Sequence, residues 1–295
     1  MKRRDFVSDG LKVALAVGVF PRDLTKSSVS VKELEMSKLA RENSEVRSTL
    51  ASDTYKNPRE KLKALASRAK QLWPVIYVDP ANLFSNLERD IEASFEGGAD
   101  AVVMELGKDP ETLERALAHA RSRYPNAILG ANYLGGEPDP YGFINGFRLV
   151  KEYDLQIVWT DFSGVDLVKE LPEISLQTIE KQRPEKAFYC SGIHMKYGTL
   201  LELNKPIEKS ALEAIGWVDG LIVTGAKTGV ATDPEKARRA RSVIGDYPLG
   251  AASGVSVENV EWILPYIDYC LVNTSISDSN HRILKDKVRE LRAKM

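Results

Sequence analysis

The sequence predicts a (β/α)8 barrel preceded by an N-terminal helical extension, and three observations carry the prediction. From Pro74 onward, short β-rich runs alternate with longer amphipathic ones, the rhythm of βα units on a parallel sheet. The β-rich runs number about eight, the number that closes such a barrel. The 295 residues are 43% hydrophobic and 28% charged, enough to bury a large core and unlike a disordered or fibrous chain. Length alone suggests two domains, but barrels of about 250 residues form one. A doubly wound sheet is the competing topology.

Residues 1–72 form the extension and 73–295 the barrel. Arg3-Arg4 followed by the apolar stretch 13–20 has the layout of a twin-arginine export signal. Lys12 within the apolar region, Pro21-Arg22-Asp23 after it and the lack of an A-x-A site oppose that reading. A cytoplasmic location is therefore expected, with twin-arginine export as the alternative. Residues 27–71 are polar, with Leu34, Leu39, Leu62, Leu65 and Ala69 near helical spacing, and read as surface helices bracing the barrel.

Candidate strands cover 75–78, 101–105, 127–132, 156–160, 187–193, 220–224, 249–252 and 269–273. Between the first two, Leu83, Leu87, Ile91 and Phe95 fall on one helical face, and Gly97-Gly98 ends the helix. Asp109-Pro110 and Asp233-Pro234 each place an N-cap before a proline suited to the first helical turn. The link between strands four and five is the weakest, because Pro172 and Pro184 bracket a short helical window.

The 41 basic and 42 acidic residues give a net charge of -1, which lacks the basic excess of a nucleic-acid binder. Cys190 and Cys270 lie in apolar runs outside any CxxC pair, so they read as packed thiols and not as a disulfide or thiolate zinc site. No uncharged apolar stretch reaches the roughly 18 residues that span a bilayer. A homo-oligomer is left open.

In a barrel, chemistry gathers at the C-terminal ends of the strands. Glu105 and Asp161 end strands two and four, where facing carboxylates can act as acid and base or hold a divalent cation such as magnesium. His194 is the one histidine at a strand end, since His119 falls within a helix and His281 starts the last one. Three scattered histidines without HxH or HExxH spacing predict no zinc site. Lys196 and Lys227 supply amines for phosphate contact or Schiff-base chemistry.

The loops after strands seven and eight, with Ser253-Gly254 and Asn273-Thr274-Ser275, sit where many barrels cradle a phosphate. Ser256 is the expected cap of the helix that follows the first of them. Thr224-Gly225-Ala226-Lys227 is a third glycine- and hydroxyl-bearing loop without Walker A spacing. Tyr133, Tyr141, Phe143, Trp159, Phe162 and Tyr197 fall near the mouth, either as pocket wall or as barrel filling. The loop from Tyr133 to Pro140 is rich enough in Gly and Pro to cross the mouth.

Gly97-Gly98-Ala99-Asp100 through Glu105, then Asp109-Pro110, resembles the GGxDaxxxE…DxP segment of the BtpA family, known for a photosystem I biogenesis protein. Asp219 through Gly229 resembles that family's DaxivtGxxTG, and Ser253 through Val260 its SGvtxeNv. The resemblance runs from about Pro74 to the C-terminus and implies a TIM barrel of the phosphate-binding type, with no settled reaction. Its HLxPLPG stretch is replaced by Tyr77-Val78-Asp79-Pro80-Ala81-Asn82, its Glu-Asn pair by Glu105-Leu106, and its Gly-Thr-Ser by Asn273-Thr274-Ser275. Its Lys-His pair is matched only loosely by His194-Met195-Lys196, and a following lysine is Ser277.

The expected function is binding of a small phosphorylated metabolite, sugar- or nucleotide-like, by an enzyme of unassigned reaction that requires no cofactor beyond an optional magnesium ion. The catalytic set is Glu105, Asp161, His194 and Lys196. The phosphate set is Thr224, Gly225, Lys227, Ser253, Gly254, Asn273, Thr274 and Ser275. The alternatives are a non-catalytic assembly or stability factor that uses the barrel as a scaffold and a Schiff-base aldolase.

Overall fold

The structure is a computed structural model and describes residues 57–106, 109–134, 142–163, 177, 179–196 and 204–295. The twin-arginine segment, the helices expected before residue 57, Tyr141, Tyr197 and most of the Gly/Pro-rich loop after Tyr133 lie outside the described residues.

Eight parallel strands close a TIM barrel in sequence order: β1 (Gln71–Tyr77), β2 (Val102–Leu106), β3 (Leu129–Tyr133), β4 (Ile157–Thr160), β5 (Phe188–Gly192), β6 (Gly220–Thr224), β7 (Leu249–Ala252) and β8 (Tyr269–Val272). Helix α1 (Pro58–Leu65) precedes the barrel. Around it lie α2 (Leu83–Glu96), α3 (Pro110–Arg123), α4 (Phe143–Glu152), α5 (Ile207–Ala214), α6 (Pro234–Ile244), α7 (Val260–Ile263) and α8 (Lys285–Ala293).

The local signals act as expected at several ends. Leu83, Leu87 and Ile91 bury the inner face of α2, and the Gly97 amide closes it on Ala93. Asp109 accepts the Thr112 amide at 3.1 Å and Asp233 the Glu235 amide at 2.9 Å, each satisfying an orphan donor of a helix start. Three expectations need correction. Strand β1 begins at Gln71, ahead of Pro74: Gln71–Pro74 pair with β8 and Val75–Tyr77 with β2. The proline sits where one ladder hands over to the other, so its missing N–H disrupts little. Leu62 is not a surface residue but seals the core, 3% exposed. The last helix starts at Lys285, which leaves His281 on the segment before it.

Inward-facing side chains fill the barrel. Trp73 stacks on Tyr269 with ring centres 4.4 Å apart, and Phe188 meets both edge-on. Three large rings fit because the neighbouring inward positions are glycine. A Cβ on Gly250 would lie 2.2 Å from the Tyr269 ring, and one on Gly220 2.5 Å from Phe188. Gln71 links α1 to this layer, donating to the Leu62 carbonyl at 2.7 Å and accepting from the Trp73 indole at 3.1 Å.

The N-terminal rim carries a fourfold clamp. Asp100, Gln156, Asp219 and Asp268 precede β2, β4, β6 and β8. Their side-chain oxygens accept the amides of Leu72, Leu129, Tyr189 and Leu249 at the starts of β1, β3, β5 and β7. Each acceptor is met by an arginine from the element preceding the pair around the ring: Arg292, Arg121, Arg183 and Arg241. These guanidiniums also bond backbone carbonyls, including Lys70, Asp154, Trp217 and Tyr266. Planar five-donor forks suit this double duty better than a lysine would. Burial raises the Asp268 carboxyl, but Arg59 and Arg241 more than offset that and hold it below the usual range.

Asp219 is fully buried and holds Arg183, Lys61 and the Tyr189 amide together. Asp219→Ala strands a buried guanidinium and a strand amide, and is expected to cost about 3–5 kcal/mol in urea unfolding. Arg289→Ala, which breaks an exposed pair with Asp286, should change stability by no more than about 0.5 kcal/mol.

Candidate functional site

Strand register assembles the site. Tyr77 pairs with Glu105, Glu105 with Asn132 and Asn132 with Trp159, so β1 to β4 bring one inward row to the C-terminal mouth. Asp161 follows β4. The Asn132 carboxamide donates to Glu105 and to Asp161, each at 3.3 Å, and so sits between the two carboxylates.

Burial in this row raises the Glu105 carboxyl, Asp161 adds repulsion, and Lys196 with the Asn132 bond opposes both, leaving it pushed up to about 7. Burial also raises Asp161, against the Asn132 bond and Lys196. Burial, then Glu105 and Asp161, push the Tyr77 phenol well above its ordinary value, so it stays protonated.

After β5 the chain turns sharply. Gly192 makes room for Met195 to fold back into the core; a Cβ there would come within 2.0 Å of the Met195 side chain. His194 takes a left-handed backbone, φ 49°, and its carbonyl accepts the Lys236 ammonium at 2.5 Å. Lys236 also reaches the Thr224 carbonyl at 2.8 Å and ties the β5 and β6 loops together. The Lys196 amide donates to the Thr224 hydroxyl at 2.7 Å, and the Lys196 ammonium to Thr228 at 3.1 Å.

The anion loops are built by close backbone approach. Gly225 and Gly254 both abut Val230, where a Cβ on either would come within about 2 Å of backbone atoms. Ser253 and Gly254 have φ of 67° and 64°. The expected cap Ser256 does not cap: the helix follows Asn259, whose side chain bonds no helix amide and instead closes the turn, accepting the Ser256 amide at 3.0 Å and donating to the Gly254 carbonyl at 2.7 Å. Ser275 donates to the Val255 carbonyl at 2.6 Å and joins the β7 and β8 loops. Asn273 donates to the Val75 carbonyl at 2.8 Å, with Ser277 and His281 on its oxygen. The His281 ring packs 5.1 Å from that of Tyr77.

One pocket collects these parts. Its walls include Tyr77, Glu105, Trp159, Lys196 and Thr228, with Ser253, Gly254 and Val255 from the β7 loop and Asn273, Thr274 and Ser275 from the β8 loop; its enclosed part is about 30 Å³. Asp161 reaches it through Asn132. His194, Thr224, Gly225 and Lys227 do not wall it: Thr224 is buried beneath Lys196, and Lys227 is exposed on its loop. Trp159 is 4% exposed and serves both as core filling and as pocket wall, whereas Tyr133 and Phe143 are buried outside the pocket and Phe162 packs against the core. Among the described residues no group of three or more His, Cys, Asp or Glu is placed to hold a metal ion, and no helix is long and apolar enough to cross a membrane. Tyr77, Thr228 and Val255 are wall residues absent from the expected set, and Tyr77 is the one beside the carboxylates. The alternation Trp73, Val75, Tyr77 would have marked it as inward once β1 is started at Gln71.

The fold and the placement of the site define a TIM barrel with a polar C-terminal mouth. Residues 185–295 match the model of the BtpA family, and the closed eight-stranded barrel fits a similarity to that family. The match spans β5 to α8, which includes the 219–229 and 253–260 blocks and leaves the Gly97–Pro110 block outside. No curated protein matches in sequence. Solved structures agree in fold. A protein from Aquifex aeolicus VF5 is 16% identical, with a TM-score of 0.56, covering 81% of this chain and 98% of its own. Phosphoribosyl anthranilate isomerase from Thermus thermophilus is 15% identical with a TM-score of 0.53, covering 76% and 97%. Thiamine phosphate pyrophosphorylase from Pyrococcus furiosus is 15% identical with a TM-score of 0.52, covering 81% and 97%.

Glu105 makes stability pH-dependent. The folded protein keeps its proton up to about pH 7, whereas a free glutamate loses it near 4.5. The stabilising contribution is therefore complete below about pH 4.5 and lost as pH rises through about 7. Glu105→Gln should raise stability at pH 8 by roughly 2–3 kcal/mol and leave it unchanged near pH 4, as measured by urea unfolding across pH.

Proposed function

We propose that the mouth binds a small phosphorylated metabolite, sugar- or nucleotide-like, and that the barrel is an enzyme acting on it. The observation that carries this reading is the single pocket in which the β7 and β8 loops meet Glu105 and Lys196. The phosphate lies on the Ser253-Gly254 and Thr274-Ser275 backbone, with Asn273 fixing the β8 loop and the Lys196 ammonium adding charge. Glu105 is the acid–base group, because a carboxyl poised near neutrality serves in both protonation states. Asp161 disfavours the charged form of Glu105 by repulsion, and the Asn132 carboxamide, bonded to both carboxylates, opposes that rise. Thr224, Gly225 and His194 shape the β5 and β6 loops from behind.

Two of the structures that share the fold carry phosphorylated compounds in their names, in keeping with this reading. Magnesium would enter with the ligand, since Mg²⁺ is held by one or two carboxylates plus phosphate oxygens, and Glu105 and Asp161 provide such a pair. A Schiff-base lysine needs burial or a neighbouring cation. Lys227 is exposed outside the pocket and Lys196 keeps company with carboxylates, so the aldolase alternative draws no support from the site. The scaffold alternative draws on apolar side chains away from the mouth, Trp262 at 66% exposure above all.

Thermal-shift measurements with inorganic phosphate, ribose 5-phosphate and adenosine monophosphate, with and without magnesium, test the proposal. A ligand at a hundred times its Kd stabilises by about 2.7 kcal/mol, which raises the melting temperature by roughly 5–10 °C in a domain of this size. Thr274→Glu, at an exposed wall position, should abolish the shift without changing the unliganded melting temperature. No shift with any of these at millimolar concentration would leave the scaffold reading in its place.

A further inference from the structure

Among the described residues, two atoms in the inward row lack hydrogen-bond partners, and they are of opposite polarity. The Trp159 indole Nε1 is a buried donor with none, and the Asn132 Oδ1 is a buried acceptor with none. The two residues are register partners on adjacent strands. Such an orphan is costly if nothing satisfies it, and two on adjacent strands beside a pocket, one of them on its wall, mark a site that a ligand completes. Trp159 lines the pocket itself, while Asn132 reaches it through its bond to Glu105. Lys196 adds a second donor on the far wall. The base of the pocket therefore offers donors for an oxygen that accepts, an acceptor for a hydroxyl, and a carboxylate beside both.

We propose that the metabolite is a phosphorylated α-hydroxycarbonyl compound, whose carbonyl oxygen accepts from Trp159 and Lys196, whose hydroxyl donates to Asn132, and whose intervening C–H proton is taken by Glu105. The proposal rests on the phosphate reading of the β7 and β8 loops. Both orphan atoms are covered in the unliganded protein, so the indole and carboxamide turn toward the ligand as it seats. The enclosed volume of about 30 Å³ admits a group of a few atoms, while the phosphate end stays at the loops.

The chemistry is a redox-neutral proton transfer. The C–H bond at the hydroxyl-bearing carbon breaks, its proton goes to the Glu105 carboxylate, and its electron pair forms the C=C of an enediolate with the charge on the former carbonyl oxygen. Trp159 and Lys196 meet that charge where it develops. The hydroxyl proton then passes to this oxygen, and protonated Glu105 returns its proton to the former carbonyl carbon. Carbonyl and hydroxyl have exchanged places with no oxidant or reductant.

Calorimetric titrations with dihydroxyacetone phosphate, glycerol 3-phosphate and inorganic phosphate test the assignment, because the first two differ only in the carbonyl. The protein should bind dihydroxyacetone phosphate at least about tenfold more tightly than glycerol 3-phosphate, one well-placed hydrogen bond's worth. Trp159→Phe, which keeps the ring and removes the N–H, should lower that ratio with inorganic phosphate affinity unchanged. Lys196→Gln should lower the same ratio. In D2O the wild type should exchange the carbon-bound protons of dihydroxyacetone phosphate, and Glu105→Gln should lose at least a hundredfold of that rate. Equal binding of the two organic phosphates, a ratio untouched by Trp159→Phe, or binding without exchange would overturn the assignment while phosphate binding stands. Absence of inorganic phosphate binding would instead remove the loop reading beneath it.

Discussion

The closed barrel depends on how its N-terminal rim satisfies one amide at the start of every odd-numbered strand. Parallel strands leave such groups without a ladder partner, and a buried amide left unpaired is costly. This chain meets the need with three aspartates and a glutamine at equivalent positions, each of them met by an arginine that also binds nearby carbonyls. Each of the three carboxylates faces two cations, so burial of Asp219 and near-burial of Asp100 and Asp268 are tolerated. With the rim closed by polar bonds, the interior above it can be wholly apolar: Trp73, Phe188 and Tyr269, then Val75, Val103 and Ile222.

That apolar filling sets the electrostatics of the opposite end. Glu105 and Asp161 stand on a dry core with few donors beneath them, and desolvation dominates the rise of both carboxyls. The same aspartate chemistry thus has opposite outcomes at the two ends of one barrel. At the rim arginines hold Asp268 ionised, whereas at the mouth one lysine and one shared carboxamide only partly offset burial. Polar side chains at the base serve the fold and those at the mouth are left poised for chemistry, the division expected of barrels.

Much of this was legible in the sequence. The alternating pattern gave eight strands near their observed places, and proline after aspartate marked the starts of α3 and α6. Glu105, Lys196 and the β7 and β8 loops emerged because a barrel fixes which ends carry chemistry. What stayed hidden depended on facing. No local pattern shows which strand glycines face inward, and Gly220 and Gly250 are explained by their neighbours' rings. Pro74 masked the start of β1 and with it the inward parity of Tyr77. Thr224 sits at a strand end like the others, yet its hydroxyl is taken by the Lys196 amide, a contact between loops that no local pattern encodes. Asn259 precedes α7 but spends its carboxamide on the turn before it, accepting from Ser256 and donating to Gly254 at once.

The rim clamps also divide the ring unequally. Each joins an odd strand to the even strand after it, so the barrel is built as four side-chain-locked staves, β1/β2, β3/β4, β5/β6 and β7/β8. Between staves the side-chain bonds are fewer: Lys70 donates to the Ile267 carbonyl across the β8–β1 seam, and Tyr247 to the Val218 carbonyl across the β6–β7 seam. The two anion loops spring from one stave, β7/β8, and keep a fixed spacing. Glu105 and Asn132 belong to different staves, as do Asp161 and Lys196. Any breathing of the barrel along its seams would therefore alter the distance between the carboxylates and their partners while the anion loops travel as a unit.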